Sequence, residues 1–152
     1  QSGKQFFSSS HQLLVDREFI FISEVDVKKN ELMIIQETTN SIKNPIHLNF
    51  SKSYNVKWKD DLNSAQLDFE KLQFPLTLRK WKEGDKFIPL GMKTFKKLSD
   101  YFIDNKFSIL EKKKQWLLCS GKDIIWVVGH RIDNRYKLES KTKKVYIAQL
   151  LD

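Results

Sequence analysis

Two apolar runs separated by a short polar turn constrain the fold of this chain more than any other segment. The runs are 115–119 and 124–128, and they read Gln-Trp-Leu-Leu-Cys and Ile-Ile-Trp-Val-Val. The turn between them is Ser120-Gly-Lys-Asp123, a composition typical of a β-hairpin. Short runs this rich in β-branched and aromatic residues favour buried strands over helices. The segment therefore predicts an antiparallel hairpin in the protein core.

Shorter strand-like segments recur along the rest of the chain. Residues 46–50 alternate apolar and polar side chains, as a half-buried strand does. One helix is predicted over about 94–107, because Leu98, Tyr101 and Phe102 recur at three- and four-residue spacing. Further strands are predicted at 13–15, 18–23, 31–36, 65–69, 76–79 and 144–148. The pattern indicates an α+β fold with mixed or antiparallel sheets and few helices.

Pro75 marks the one internal boundary that the sequence supports. With 152 residues, the chain fits one ordinary domain or a domain with an appendage. We interpret residues 1–75 as a β-rich lead-in and residues 76–152 as a basic C-terminal domain. One continuous domain is the alternative, because 67–79 can run through the boundary unbroken. The chain opens without an initiator methionine, which suggests that it is a piece of a longer protein.

The positive charge of the chain is confined to its second half. Residues 1–76 contain 9 Lys and Arg against 10 Asp and Glu, whereas residues 77–152 contain 18 against 9. Such asymmetry is typical of a surface for nucleic acid or an anionic membrane, although a solvated lysine-rich face is the alternative. No segment reaches the roughly 20 apolar residues of a membrane span, and no secretory leader is present. We therefore expect no membrane partner and a cytoplasmic location.

Sequence signatures of a self-contained active site are absent. Neither Gly-x-Gly-x-x-Gly nor the Gly-x-x-x-x-Gly-Lys-Ser/Thr phosphate loop occurs, and the three histidines lack metal-ligand spacing. His130 is expected to be structural, and the single cysteine, Cys119, to be a buried core residue. Asp85, Asp100 and Asp104 could form a carboxylate cluster for a hydrolase, but pairing with neighbouring lysines is favoured. We predict no catalytic residue, metal or cofactor in this segment.

A glycine-containing turn between Lys82 and Met92 leads into the predicted helix. Gly84 permits a tight turn, and the apolar residues that follow are expected to anchor the loop. The prediction places Lys96 and Lys97 in the first helical turn, where lysines are unfavourable by a few tenths of a kcal/mol each. They become favourable when a phosphate docks on the same helix end. The segment therefore predicts an anion-binding site at this helix N-terminus.

Two arginines follow the second apolar run and could also grip phosphate. Arg131 and Arg135 can each bind a phosphate through two nitrogens. The alternative for either is a structural ion pair with Asp133 or Asp123. Trp81 lies between lysines, where packing under the loop is favoured over stacking on a base.

Three groups of residues between about 76 and 135 occur in a fixed order and spacing. They are Arg79-x-Trp81-x-x-Gly84-Asp85-x-Phe87-x-Pro89-x-Gly91-Met92, then Lys96-Lys97-Leu98-Ser99-Asp100-Tyr101-Phe102, then Trp126-Val127-Val128-Gly129-x-Arg131-Ile132. Together they resemble the C-terminal region of tRNA(Ile)-lysidine synthases. That region is similar in fold to a module of the phenylalanyl-tRNA synthetase β subunit, so the resemblance implies the same fold here.

The resemblance also implies a role in tRNA modification. Enzymes of this family use ATP with Mg²⁺ to adenylate the wobble cytidine of tRNA(Ile), and lysine then displaces AMP to form lysidine. Their N-terminal domain carries a Ser-Gly-Gly-x-Asp-Ser loop, from which Ser2-Gly3-Lys4 departs at its third residue. This chain is therefore expected to be the non-catalytic part, which in the family helps hold the acceptor-stem side of the tRNA. Its expected partners are tRNA(Ile) and the N-terminal catalytic domain of the same protein.

Five basic residues are the expected tRNA contacts. Arg79, Lys96, Lys97 and Arg131 lie inside the matching groups, and Arg135 is added on its chemistry alone. In the alternative interpretation, the basic face is a protein interaction module that docks on other domains of its own enzyme or forms a homodimer.

Overall fold

The computed structural model describes residues 32–151 in full and, before them, the backbone of three strands. These strands are β1 (Lys4–Phe7), β2 (His11–Val15) and β3 (Ile20–Glu24). They form a three-stranded antiparallel sheet in the order β1-β2-β3. This sheet belongs to a first compact unit, Gln1–Leu32, and the rest of the chain forms a second.

The second unit, Met33–Asp152, contains ten strands and two short helices in its described residues. The strands are β4 (Met33–Ile35), β5 (Ser41–Ile42), β6 (His47–Ser53), β7 (Ser64–Asp68), β8 (Leu76–Lys80), β9 (Lys86–Phe87), β10 (Lys96–Lys97), β11 (Trp116–Ser120), β12 (Asp123–Val127) and β13 (Val145–Leu151). The helices are α1 (Leu98–Asp104) and α2 (Ile109–Lys113).

Two four-stranded antiparallel sheets enclose the main core of this unit. Their strand orders are β12-β11-β8-β4 and β5-β6-β13-β7. The predicted hairpin of β11 and β12 is present, and its Leu118 and Trp126 are fully buried together with Leu48 and Tyr146 of the other sheet. The α+β prediction with antiparallel sheets and few helices is therefore confirmed.

Strand pairing runs across Pro75. Strand β4 pairs with β8, with Met33 opposite Leu78, and β13 pairs on one side with β6 and on the other with β7. Segments before and after the proline therefore share sheets and a hydrophobic core. The first compact unit ends at Leu32, and residues on both sides of Pro75, such as Leu48 and Leu78, are buried in one apolar cluster of the second unit.

The predicted helix over 94–107 is wrong at its N-terminal end. Lys96 and Lys97 form strand β10, which pairs with β9 in a two-stranded ribbon, and α1 begins only at Leu98. The backbone N–H of Leu98 donates to the carbonyl of Asp85 at 2.9 Å, so the turn itself fixes where the helix starts. The three- and four-residue apolar spacing also begins at Leu98, whereas residues 91–97 are exposed apart from the half-buried Lys96.

Helix α2 was not predicted, although the sequence contains its start signal. Ser108 and Glu111 form a capping box, in which each side chain accepts a hydrogen bond from the backbone N–H of the other residue. A Ser-x-x-Glu pattern is the usual signature of such an N-terminus.

A second apolar cluster joins α1 to the hairpin. Phe87, Phe102, Leu117 and Cys119 are buried in it. Cys119 is 2% exposed, which confirms the prediction of a core cysteine, and this burial raises the pKa of its thiol to about 11. Trp81 packs edge-on against Phe102, with ring centroids 4.9 Å apart, so its predicted packing under the loop is confirmed.

Candidate functional site

Arg79 is bound within the protein. Its guanidinium donates to both carboxylate oxygens of Asp85, at 2.9 and 3.0 Å, and to the carbonyl of Lys80 at 3.0 Å. The side chains of Arg79 and Asp85 are 20% and 7% exposed. The hydrogen bonds to Asp85 raise the pKa of Arg79 above its ordinary value. This geometry holds the glycine turn against strand β8 and leaves the arginine fork occupied.

Arg135 is also bound within the protein, in agreement with the alternative prediction of a structural ion pair with Asp133 or Asp123. Its guanidinium donates to the two oxygens of Asp133 at 3.0 Å each, and to Asp123 at 3.2 Å. Asp133 is fully buried and also accepts from the backbone N–H of Ile88 at 2.9 Å. Asp133 therefore ties the loop after β9 to the turn that follows β12, and Arg135 ties that turn to the start of β12.

The two lysines of the predicted anion-binding site do not lie in the first turn of α1. Both lysines precede α1, and the amine of Lys96 makes an ion pair with Asp104 at the far end of that helix. Lys97 is the N-cap residue and provides no side-chain hydrogen bond to the helix. The expected pairing of Asp104 with a lysine is thereby confirmed, whereas Lys97 enters no ion pair within residues 32–151.

The ribbon instead places Lys97 directly opposite Lys86. Residues directly opposite in an antiparallel pair have Cβ atoms about 4.5–5.5 Å apart, and like charges there are destabilising. Phe95 lies two residues before Lys97, on the same face, and the Lys86 amine lies 4.7 Å from the centroid of its ring. The Arg135 guanidinium lies 5.0 Å from that centroid. We call Lys86, Phe95 and Lys97 the ribbon face.

A cleft of about 280 Å³ adjoins the ribbon face. It is lined by Arg79, Gly84, Asp85, Lys86, Phe95, Lys122, Asp123, Ile124 and Arg135. The two arginines are neutralised by the carboxylates described above. None of the ion pairs found in residues 32–151 includes Lys86, Lys97 or Lys122, and all three side chains are exposed. The cleft and the ribbon face therefore share an excess of free ammonium groups.

Arg131 is exposed and enters no ion pair within the described part of the chain. It lies near Tyr101. Burial raises the pKa of Tyr101, and a hydrogen bond with the Arg131 backbone opposes this shift without cancelling it. The neighbouring His130 packs its ring against Phe107, with centroids 4.7 Å apart. Burial lowers the pKa of His130, as expected for a structural histidine.

Three residues of this site were missed by sequence reasoning, namely Lys86, Phe95 and Lys122. Phe95, Lys96 and Lys97 show no apolar–polar alternation, so the two-residue strand β10 left no signal, and the helical spacing that follows it extended the helix prediction over these residues. Lys122 lies in the β11–β12 turn, and only the folded structure brings this turn beside the ribbon. Within residues 32–151 no group of three or more His, Cys, Asp or Glu could hold a metal ion. Neither described helix has the length and apolarity to cross a membrane.

Comparison with known proteins finds similarity along the whole chain. The sequence profile described as "TilS substrate C-terminal domain" matches residues 76–148, and that described as "TilS substrate binding domain" matches residues 1–25. A protein named tRNA(Ile)-lysidine synthase from Parabacteroides distasonis is 47% identical over 154 residues, covering 99% of this chain and 35% of that protein. The chain thus spans about a third of the length of the curated relatives it matches.

Solved structures resemble the fold. A crystal structure of a TilS C-terminal domain covers 80% of this chain and 99% of its own, with a TM-score of 0.66 at 16% identity. An N-terminal fragment of the phenylalanyl-tRNA synthetase β subunit from Pyrococcus horikoshii covers 56% of this chain and 27% of its own. Its TM-score is 0.49 at 22% identity.

Proposed function

The chain belongs to the tRNA(Ile)-lysidine synthase family, as its C-terminal region, and we propose that it holds the tRNA substrate of such an enzyme. In this proposal an N-terminal domain uses ATP and Mg²⁺ to join lysine to the wobble cytidine of tRNA(Ile) in the cytoplasm. The present region grips the acceptor-stem side of the same tRNA and performs no chemistry itself.

The observation that supports this proposal most directly is the Lys86–Lys97 pair of the ribbon face. Two lysines directly opposite each other lower the stability of a two-stranded ribbon. A phosphate placed between them removes that repulsion and gains two charge-assisted hydrogen bonds. The same arrangement therefore costs stability in the free protein and favours binding of a polyanion.

The tRNA contacts that we propose are chosen among the basic residues that form no ion pair within residues 32–151. They are Lys86, Lys97, Lys122 and Arg131, of which Lys97 and Arg131 come from the sequence prediction. Arg79, Arg135 and Lys96 from that prediction are assigned a supporting role, because each already binds a carboxylate. The three lysines act on phosphate as point charges, so these contacts position the tRNA without reading its sequence, whereas Arg131 can grip a phosphate through two nitrogens.

A salt titration tests the proposal. Each phosphate contact contributes about 0.7 to 0.9 to the slope of log affinity against log salt concentration. The variant Lys86→Gln/Lys97→Gln should therefore bind a tRNA(Ile) transcript with a slope shallower by about 1.4 to 1.8. Its stability to urea should stay equal to that of the wild type or rise slightly, because a repulsive pair is removed.

The matched control is Lys141→Gln/Lys143→Gln, which removes the same charge from two exposed lysines of another segment. It should leave the salt slope within experimental error of the wild type. An unchanged slope in the ribbon variant, or an equal change in both variants, would refute the proposed tRNA-binding face.

A second candidate function is docking on other domains or on a second copy of the chain. Ile103 on α1 and Ile109 and Leu110 on α2 are large apolar side chains that lie mostly exposed, and such groups mark protein interfaces. Light scattering distinguishes the two candidates. Docking on a second copy predicts a dimer that Ile109→Lys/Leu110→Lys abolishes. Either kind of docking predicts that the ribbon variant leaves tRNA affinity unchanged.

A further inference from the structure

A second surface of the protein combines exposed aromatic side chains with lysines. After β6 the chain reads Tyr54-Asn-Val-Lys-Trp-Lys59, an alternation of apolar and polar residues. Tyr54, Val56 and Trp58 are 77%, 36% and 49% exposed. We call these three side chains the aromatic strip. Rings of this size are buried in most folded proteins, so their exposure here indicates a binding surface.

The backbone beneath the aromatic strip is held in place. The N–H of Asn55 donates to the Ser53 hydroxyl at 3.0 Å, and that of Lys57 to the Asn55 carbonyl at 3.1 Å. At the other end the N–H of Lys59 donates at 2.9 Å to the side chain of Gln66, which is buried. A segment fixed in this way loses little conformational entropy on binding.

Lysines surround the aromatic strip. Lys57 and Lys59 alternate with its members and are exposed. The Lys144 amine lies 5.5 Å from the centroid of the Tyr54 ring and 4.4 Å from that of Phe69, so it makes a cation–π contact with the tyrosine.

The polarity of the surroundings favours nucleic acid over protein as the ligand. Two carboxylates follow the strip, but that of Asp61 accepts the backbone N–H of Asn63 and belongs to the next turn. Protein interfaces are depleted in lysine, whereas surfaces for single-stranded nucleic acid combine aromatic rings with cations along the backbone.

We infer that the aromatic strip binds a single-stranded segment of nucleic acid, with Tyr54 and Trp58 stacking on unpaired bases and the three lysines contacting its phosphates. The nature of the ligand rests on the proposed function, since a tRNA offers both paired and unpaired segments. The strip complements the ribbon face, because bases of an RNA duplex are stacked on each other and present no free face to a ring.

Binding of two RNA probes by the 152-residue chain tests this inference. The probes are a single-stranded octamer and the same octamer annealed to its complement. Each stacked base is worth about 1–3 kcal/mol, which is about fivefold or more in affinity per ring. Tyr54→Ala/Trp58→Ala should therefore bind the single strand at least about 25-fold more weakly, while duplex binding changes less than about twofold.

Two further variants keep the test decisive. Tyr54→Phe/Trp58→Phe keeps an aromatic ring at both positions and should bind the single strand within about threefold of the wild type. This result separates a loss of stacking from a loss of folding. Leu62→Ala removes an apolar side chain of the same loop that is 56% exposed and should change neither affinity.

The inference is overturned by any of three results. They are no measurable binding of the single strand by the wild type, an equal loss on single strand and duplex, or a loss in Leu62→Ala as large as in the alanine pair. The ribbon variant Lys86→Gln/Lys97→Gln is measured on the duplex in parallel. If the ribbon variant binds the duplex as tightly as the wild type while the alanine pair still loses affinity for the single strand, the proposed tRNA-binding face is refuted and the aromatic strip remains supported.

Discussion

Replacing Asp85 by asparagine should destabilise the protein strongly, although the change removes only one charge. The Asp85 carboxylate accepts two hydrogen bonds from Arg79 and one from the backbone N–H of Lys82, at 2.8 to 3.0 Å. An asparagine turns an NH₂ group toward the guanidinium and leaves a largely buried cation without a counter-ion.

The expected loss follows from the burial of the pair. Removing one partner of a buried ion pair costs about 3–5 kcal/mol. Arg79 keeps a fifth of its side chain exposed, so we expect a loss near the lower end, about 3 kcal/mol. For a domain of this size each kcal/mol shifts the melting temperature by about 2–4 °C, which gives a decrease of about 6–12 °C.

Urea unfolding of Asp85→Asn and Arg79→Met measures this loss, and tRNA binding shows which role Arg79 plays. A structural arginine predicts that both variants are destabilised by similar amounts. An arginine that serves mainly to bind phosphate predicts that Asp85→Asn frees the guanidinium and strengthens tRNA binding.

The matched control for this experiment is Asp100→Asn, an exposed acid of α1 that forms no ion pair within residues 32–151. It should stay within about 0.5 kcal/mol of the wild type. A stability of Asp85→Asn within the same range would show that the Arg79–Asp85 pair does not hold the turn.

Two further predictions concern stability. The unfolded thiol of Cys119 ionises near pH 9, whereas burial raises its pKa in the folded state to about 11. The stability that this group contributes is therefore complete below pH 9 and is lost as pH rises, by about 1 kcal/mol at pH 10. Urea titrations from pH 8 to 10 should show a shallower decline in Cys119→Ala, and parallel declines would contradict the burial of the thiol. Ser108→Ala removes the cap of α2 and should cost about 1 kcal/mol, whereas Ser108→Asp should restore most of it; equal losses in the two would show that capping is unimportant.

The strands were predictable because their cause is local to each segment. Burial of one or both faces imposes apolar runs or alternation on residues 46–50, 115–119 and 124–128, and these patterns are legible without knowing the partners. The start of α1 was not predictable in this way. It depends on pairing of Lys96 with Phe87 and on a hydrogen bond from Leu98 to Asp85, and both arise only after the turn has folded.

The candidate site was less predictable than the fold, because charge alone does not tell a binding cation from a paired one. The sequence offered Arg79 and Arg135 as equally basic residues, and it named Asp133 and Asp123 as the alternative partners of Arg135. The structure places Arg135 on both. For Arg79 the partner lies six residues away across the glycine turn, a separation that neither helix nor strand periodicity would single out.

Among the residues of the cleft and the ribbon face, the arginines are paired and the lysines are not, and this division supports a particular kind of tRNA binding. The guanidinium groups of the two cleft arginines, Arg79 and Arg135, are paired with internal carboxylates. The cations of the cleft and the ribbon face that form no ion pair within residues 32–151 are Lys86, Lys97 and Lys122. Arginine is the residue that reads guanine edges and grips phosphate through two nitrogens, while lysine contributes a flexible point charge. A lysine surface mounted on arginine-locked turns therefore fits a function in which the shape and charge of the RNA backbone are recognised. Under the proposed function, changes to the sequence of paired tRNA segments should alter affinity for the ribbon face little, and added salt should alter it strongly.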